Sequence, residues 1–257
     1  MSIPDWLDQG FANPSFPDLY TRFLGAVARR YPWANQYTVC NEPLPTTLFC
    51  SYTGLWYPHQ SSDDDFVRMA VQVARAICQG STLLRNLIPD VRFVHVDTCE
   101  THRALDERSR PWVRFANNRR FLMHDLILGQ VNKEHEIYPY LHRHGFSSDD
   151  THWLADNPAS IDWLGLDYYI HSEMEWHWNA MLRRANLTWP VKHPEGFARI
   201  AKHYVDRYRL PVLLTKRTCA ARTATGSRGS SSWKNNANNS RHKPIFAALL
   251  VPVDRQH

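Results

Sequence analysis

The stretch QYTVCNEP, residues 36–43, joins a β-branched and aromatic run to a polar turn. Such a run is typical of a short β-strand. Its end presents the amide of Asn41 and the carboxylate of Glu42, directly before Pro43. In parallel α/β folds the functional groups collect at the carboxyl ends of strands. The stretch therefore predicts both a strand of a parallel sheet and a candidate catalytic acid.

The sequence on either side of this stretch alternates extended apolar runs with runs of helical periodicity. Strands are predicted at 36–43, 89–98, 161–170 and 211–215, and helices at 17–31, 65–88, 118–131 and 195–210. Strands that are separated by helices indicate parallel β/α units. The predicted fold class is therefore α/β, and the polar strand ends favour one face of the sheet as a site.

The charge of the chain is unevenly distributed. The net charge is +5 at pH 7, yet residues 216–257 contain eight basic side chains and one acidic one, which leaves residues 1–215 slightly acidic. The last segment is rich in Ser, Asn and Arg and has no periodicity, which predicts disorder. We therefore expect a folded domain over 1–215 and a basic low-complexity tail over 216–257.

The composition argues against several classes of protein. No apolar run approaches the roughly 18 residues of a membrane helix, and the start MSIPDWLDQG lacks a signal-peptide pattern. Five dispersed cysteines without a CxxC pair favour reduced thiols and a cytoplasmic protein. The 14 histidines show no metal-ligand spacing. We predict no metal, no cofactor and no membrane partner.

The segment around Glu42 resembles the acid/base segment of glycoside hydrolase family 1, the β-glucosidase family, which has an Asn-Glu-Pro signature at the end of barrel strand four. Cys40 stands where a Leu or similar residue is usual. Residues 3–23 resemble the loop and helix after strand three, and residues 161–172 resemble the strand-six segment DFLGINYY. In this order the resemblance covers roughly residues 3–215.

The resemblance implies a partial (β/α)8 TIM barrel, roughly strands four to seven, and a retaining β-glycosidase that acts on a carbohydrate (β-glycoside) substrate. By position, Glu42 would be the general acid/base, Asn41 would bind the 2-hydroxyl of the sugar, and Tyr169 would contact the nucleophile. Asp167 stands where the family has Asn. Asp167 and Trp176 are expected beside the substrate.

The second carboxylate of a retaining glycosidase is missing from the position where the resemblance places it. The family nucleophile follows strand seven in a TENG-like motif, but here Thr215 is followed by Lys216. A lysine ammonium cannot form the glycosyl ester of that mechanism. Other carboxylates that could substitute are Asp97, Glu100 and Glu173. We expect an absent or impaired activity.

A change of reading frame after about residue 215 accounts for this loss. Residues 214–219, LTKRTC, can be encoded by codons that read DETNL two bases later, which restores a Glu-Thr-Asn turn. The letters that follow then gain helical periodicity, and the charge changes character at the same residue. The first three barrel strands have no counterpart, so an N-terminal truncation is expected as well.

Two other hypotheses remain open at this stage. A non-catalytic carbohydrate-binding remnant would use the aromatic side chains Trp56, Tyr168, Tyr169, Trp176 and Trp178. A nucleic-acid binder rests on the basic tail alone, so it is the weakest hypothesis and we predict no nucleic-acid partner. The segment HSEMEWHWN, residues 171–179, is interpreted as a loop that lines the mouth of the barrel.

Overall fold

A computed structural model describes residues 4–217 of the chain. Its helices are α1 Phe16–Arg30, α2 Pro43–Thr47, α3 Asp63–Leu87, α4 Arg110–Arg119, α5 Leu122–Ile127, α6 Tyr138–Arg143, α7 Ser148–Asp156 and α8 Phe197–Tyr208. Its strands are β1 Gln36–Tyr37, β2 Arg92–Thr98, β3 Thr101–Ala104, β4 Trp163–Tyr168, β5 Glu173–Asn179, β6 Arg184–Thr188 and β7 Val212–Arg217. The predicted tail lies almost wholly outside the described residues.

Four strands form the sheet that the sequence predicts. Their order is β1-β2-β4-β7, and every neighbouring pair is parallel. Helices connect each strand to the next one, as parallel neighbours require. This arrangement confirms the α/β class.

The helices cover one face of this sheet with two apolar clusters. Helix α3 buries a stripe at helical spacing that includes Phe66, Val73 and Ile77, and it packs along α1. On the other flank, α8 packs its Tyr204 against Leu166 of β4 and its neighbours. Since the helical stripes match the predicted periodicity, burial of apolar surface explains why these segments are helical.

The first strand is shorter than predicted. Residues 36–43 were expected to be extended, but the ladder with β2 ends at Tyr37, and only an isolated bridge joins Asn41 to Val96. Glu42 adopts a left-handed conformation, with φ 49° and ψ 58°. Pro43 has no N–H to donate. The chain therefore turns from β1 directly into α2.

A second sheet of three strands was not predicted. Strand β5 pairs in parallel with β3 and antiparallel with β6. The interpretation of 171–179 as a loop is therefore wrong. Its partners at 101–104 and 184–188 are distant in sequence, so the pairing that makes it a strand is not visible locally.

The helix predicted at 118–131 is two helices, α4 and α5, that meet at Arg120. The guanidinium of Arg120 is buried, contacts the backbone oxygen of Glu100 and lies 3.1 Å from Nδ1 of His203. This buried cation turns the chain between the two helices. Among residues 4–217, no helix is both long enough and apolar enough to cross a membrane.

Candidate active site

Glu42 lies at the carboxyl edge of the parallel sheet, in the turn between β1 and α2. Its backbone N–H donates to the carbonyl oxygen of Val96 at 2.9 Å, which ties the turn to β2. Its left-handed conformation is uncommon for a residue with a Cβ atom, and such strained residues cluster at functional sites. Its carboxylate oxygen Oε1 accepts a hydrogen bond of 2.6 Å from the hydroxyl of Tyr169.

The ammonium group of Lys216 is the centre of the site. Its Nζ lies 2.7 Å from Oδ2 of Asp167, 2.9 Å from Oδ1 of Asn41 and 3.3 Å from Oε1 of Glu42. A lysine ammonium has three hydrogens to donate, and three acceptors surround this one. The expected site residues Asn41, Glu42 and Asp167 are thus brought together around a cation.

A β-bulge brings Lys216 to this position. Leu166 pairs with Leu214, but the next residue of β4, Asp167, pairs with Lys216, so Thr215 is an extra residue in β7. Bulges redirect side chains and are frequent beside active sites. The hydroxyl of Thr215 donates to Oδ1 of Asp167 at 2.6 Å. Thr215 and Lys216 therefore both bind the same carboxylate.

The two carboxyl groups at the site have pKa values that are shifted in opposite directions. Burial raises the pKa of Asp167 to about 6, and its contact with Glu42 adds to the increase, although Lys216 and Thr215 oppose it. Burial also raises the pKa of Glu42, but the hydrogen bonds of Asp167 and Tyr169 and the charge of Lys216 outweigh this effect and lower it below its usual value. Glu42 therefore stays ionised while Asp167 is protonated first.

This arrangement limits the chemistry that Glu42 can perform. A general acid works best when its pKa lies near the working pH, whereas the ion pair with Lys216 stabilises the ionised form of Glu42. The Tyr169 hydroxyl donates to Glu42 rather than to a second catalytic carboxylate. In this state the site can accept hydrogen bonds from a ligand, but Glu42 is a poor proton donor.

Asp97 and Glu100 have structural partners. The carboxylate of Asp97 is fully buried and accepts from the backbone N–H groups of Leu44 at 3.3 Å and Thr98 at 2.9 Å. Glu100 lies 3.3 Å from the ring of His102. In these contacts neither carboxylate meets Glu42.

Glu173 is also occupied by a structural role. It is buried, accepts from the hydroxyl of Tyr168 at 2.8 Å, and accepts from the backbone N–H of Gly196 at 2.8 Å. It thereby joins β5 to the segment that begins α8. Asp167 is the carboxylate that the structure brings to Glu42.

Of the predicted aromatic residues, Tyr169 contacts Glu42, whereas the tryptophans have other partners. Trp176 lies in the second sheet and donates its indole N–H to Nδ1 of His102 at 3.0 Å. Trp178 packs against Trp112, and Trp56 against Phe49. The contacts of Trp176 join it to His102 rather than to the group around Lys216.

A polar groove of about 760 Å³ lies elsewhere on the molecule. Its walls come from the start of α1, from α3 and from the segment around α6 and α7. The residues that line it include Asp18, Arg68, Arg75 and Asp150. None of the predicted site residues lines this groove, so it is separate from the candidate site around Glu42.

Comparisons with known proteins add a fold-level result. No family model matches the sequence, and no curated protein matches it. Solved structures do match. A β-glucosidase from Thermotoga maritima in complex with deoxynojirimycin has a TM-score of 0.71 at 17% identity, covering 82% of this chain and 50% of that chain. The family 1 β-glucosidase from the same organism has a TM-score of 0.68 at 16% identity, with the same coverage.

Over 82% of its residues, the chain has the fold of about half of a family 1 β-glucosidase. A third structure, the Thermotoga maritima β-glucosidase in complex with noeuromycin, has a TM-score of 0.69 at 18% identity and the same coverage. The four parallel strands with their helices thus resemble part of that barrel. The chain spans about half the length of the structures that it matches.

Sequence reasoning missed two features of the site. It placed Asp167 beside a sugar, which stays a prediction, and did not foresee that Asp167 binds Lys216 and Thr215. It also treated Lys216 only as a missing carboxylate, whereas Lys216 forms ion pairs with both acids. The opposite charges of Asp167 and Lys216, at the ends of two predicted strands, could have indicated this contact. The bulge that aligns the two residues cannot be predicted from the sequence.

Proposed function

We propose that this chain contains the acid/base half of a retaining β-glycosidase site, with Glu42 as the general acid/base and with its turnover impaired by Lys216. One observation supports this most directly: Asn41, Glu42, Asp167, Tyr169 and Lys216 come from three strand ends to one point at the carboxyl edge of a β-glucosidase-like sheet. Asn41 would then contact a sugar hydroxyl, and a β-glycoside is the proposed substrate class.

Lys216 impairs the site in two ways. It supplies a cation at the position where the retaining mechanism needs a second carboxylate, about 5–5.5 Å from the first. It also holds Glu42 in the ionised state, in which it has no proton for the leaving group. Replacement of this one side chain therefore tests the proposal.

We expect Lys216→Glu to create measurable hydrolysis of an aryl β-glucoside, because it supplies a second carboxylate. Glutamate is shorter than lysine, so this carboxylate would lie further from Glu42 than the ammonium does. Lys216→Gln is the control, since it removes the charge without adding a nucleophile. The double variant Glu42→Gln/Lys216→Glu should lose the activity that the single variant gains. Equal rates for Lys216→Glu and Lys216→Gln would contradict the assignment of the nucleophile position.

A non-catalytic carbohydrate-binding function is the second candidate. The contacts of Lys216 with Asn41, Glu42 and Asp167 favour it, because a site can bind hydroxyl groups without a free nucleophile. Deoxynojirimycin, which a structural neighbour binds, is the ligand to test by calorimetry. Binding that weakens in Asn41→Ala and in Glu42→Gln, without turnover in the wild type, would support this candidate. If neither binding nor hydrolysis depends on Glu42, both candidates are wrong.

A further inference from the structure

Three buried side chains, of types that can bind a metal ion, meet on the opposite face of the sheet from Glu42. His95 and Asp97 are alternate residues of β2, so their side chains share a face. They pair in register with Leu164 and Leu166 of β4, which pack in the apolar cluster of α8. His124 of α5 joins them. The cluster therefore lies between the sheet and its helices.

The potential ligand atoms of this cluster are close together and buried. One ligand atom from each of His95, Asp97 and His124 lies within 4.8 Å of the others. The exposed fractions of the three residues are 5%, 0% and 0%. The imidazole rings of His95 and His124 are 4.7 Å apart between centroids and nearly perpendicular, at 88°.

Three of the four ring nitrogens of these histidines are buried without a hydrogen-bond partner among the described residues. Nε2 of His95 and both Nδ1 and Nε2 of His124 are buried and unpaired. A buried polar atom without a partner costs about 1–3 kcal/mol. An apolar side chain at either position would avoid this cost, so a ligand that uses these nitrogens explains why the interface contains two imidazoles.

We propose that His95, Asp97 and His124 form a binding site for a divalent transition metal, with zinc as the best match. Two imidazole nitrogens and one carboxylate oxygen are donors that zinc accepts, and a fourth position is left for a water molecule. Zinc bonds of about 2.0–2.1 Å bring tetrahedral ligands to roughly 3.3 Å from one another. The imidazoles must therefore turn inward, and no hydrogen bond of the unpaired nitrogens opposes that turn.

Asp97 connects this metal site to the turn that contains Glu42. Its oxygens accept from the backbone N–H groups of Thr98 and of Leu44, the second residue after Glu42. Such hydrogen bonds orient a metal-ligating carboxylate. The metal would therefore stabilise the start of α2 through Asp97. Because the site is buried, it fills as the chain folds.

The test unfolds the full-length chain in urea with a chelator, removes the chelator, and refolds the chain with excess zinc or cobalt. We expect about one metal ion per chain after gel filtration, measured by elemental analysis, and the visible absorption bands of four-coordinate cobalt in the cobalt form. A wild-type chain that refolds and retains no metal overturns the proposal. This measurement on the wild type needs no variant to fold.

Variants locate the metal. His95→Gln and His124→Gln should each lower the metal content at least about tenfold, with circular dichroism to verify the fold, whereas His152→Gln, at an exposed position of α7, should leave it unchanged. The sequence also contains Cys219, His242 and His257, which lie outside the described residues. Metal that persists in both His95→Gln and His124→Gln would belong to other residues, and this outcome would overturn the assignment.

Discussion

At the residue scale, Asp167 shows how burial and an ion pair compete. Its carboxylate has no exposed surface and binds both Lys216 and Thr215, and its pKa is nevertheless raised to about 6 because burial disfavours its charge. The family that the sequence resembles has Asn at this position. The carboxylate at position 167 therefore distinguishes this chain from that family, and its burial costs free energy when it is ionised.

The first prediction concerns the pH dependence of stability. A carboxyl group with a raised pKa binds more protons in the folded state, so the free energy of unfolding falls as the pH rises from about 4 to 6. Asp167→Asn should make this slope shallower and stabilise the chain above pH 6 by about 1–3 kcal/mol, since one pKa unit corresponds to about 1.4 kcal/mol. Part of the slope should remain, because burial also raises the pKa of Asp97. Urea denaturation between about pH 3.5 and pH 8 measures the free energy of unfolding as a function of pH.

The control for this prediction is Asp90→Asn, at an exposed turn, which should leave the pH slope unchanged. A slope in Asp167→Asn that is as steep as in the wild type between about pH 4 and 6 would show that Asp167 does not titrate there. The fold-stabilising contribution of Glu42 has the opposite sign: its lowered pKa adds stability that is lost at acidic pH.

At the element scale, Gly165 allows the strands of the sheet to pack closely around the site. A Cβ atom on Gly165 would lie 2.7 Å from Cγ2 of Val96 and 2.8 Å from Cγ2 of Thr215. These distances are shorter than ordinary carbon contacts, so the side chains of Val96 and Thr215 would have to move. Position 165, close to the bulge, is therefore constrained by packing.

We predict that Gly165→Ala destabilises the chain by about 1–3 kcal/mol, the usual cost of overpacking. Gly25→Ala is the matched control, since in α1 the new methyl group would meet the end of the Leu83 side chain at 3.1 Å and that of Arg29 at an ordinary contact distance of 3.5 Å. Alanine also favours a helix over glycine, so this control should be neutral or stabilising. Denaturant midpoints that fall equally in both variants would contradict the argument.

The carboxylate of Asp125 joins helices α5 and α8. It is fully buried and accepts from the hydroxyl of Tyr208 at 2.7 Å, from Nη2 of Arg207 at 2.8 Å and from Nε2 of His135 at 2.9 Å. A buried carboxylate with this many partners is costly to remove, because the partners are left unpaired.

Asp125→Ala should therefore lower the free energy of unfolding by about 3–5 kcal/mol. Asp206→Ala tests the same residue type in an exposed pair with Lys202, at 2.8 Å, and should cost far less, because exposed ion pairs contribute little to stability. Thermal or urea unfolding of the two variants measures both losses of stability. Similar losses would show that burial does not distinguish the two ion pairs.

At the scale of the whole molecule, the site stands at the point where the character of the sequence changes. Residues up to 217 form the described fold, and Lys216 in the last strand occupies the centre of the site. The hypothesis of a frameshift after about residue 215 would explain both the cation at this position and the basic composition of 216–257.

Sequencing of the gene around the codons for Thr215 and Lys216 tests this hypothesis. We expect that a single-base change there opens a frame that encodes an acidic residue in place of Lys216 and continues with helical periodicity. A native coding sequence in which no such change opens a second frame would show that Lys216 is the encoded residue. The ion cluster would then be a selected feature of the site.

Local sequence predicted the elements that depend on one periodic pattern. Helices α1, α3 and α8 lie within a few residues of their predicted ranges, because an apolar stripe at helical spacing determines both the helix and the face that it buries. The parallel sheet followed from the alternation of strands and helices. Strand β5 and the break at Arg120 did not, since each depends on partners that are remote in sequence.

By itself the sequence determined which residue types stand at the strand ends, and hence the acid Glu42, the amide Asn41 and the absence of a carboxylate at position 216. Only the tertiary structure decided that Asp167 and Lys216 meet Glu42, because a one-residue bulge in β7 sets their register. It likewise decided that His95, Asp97 and His124 converge, since a strand and a helix must first pack. Contacts between remote segments follow from packing, which no local pattern encodes.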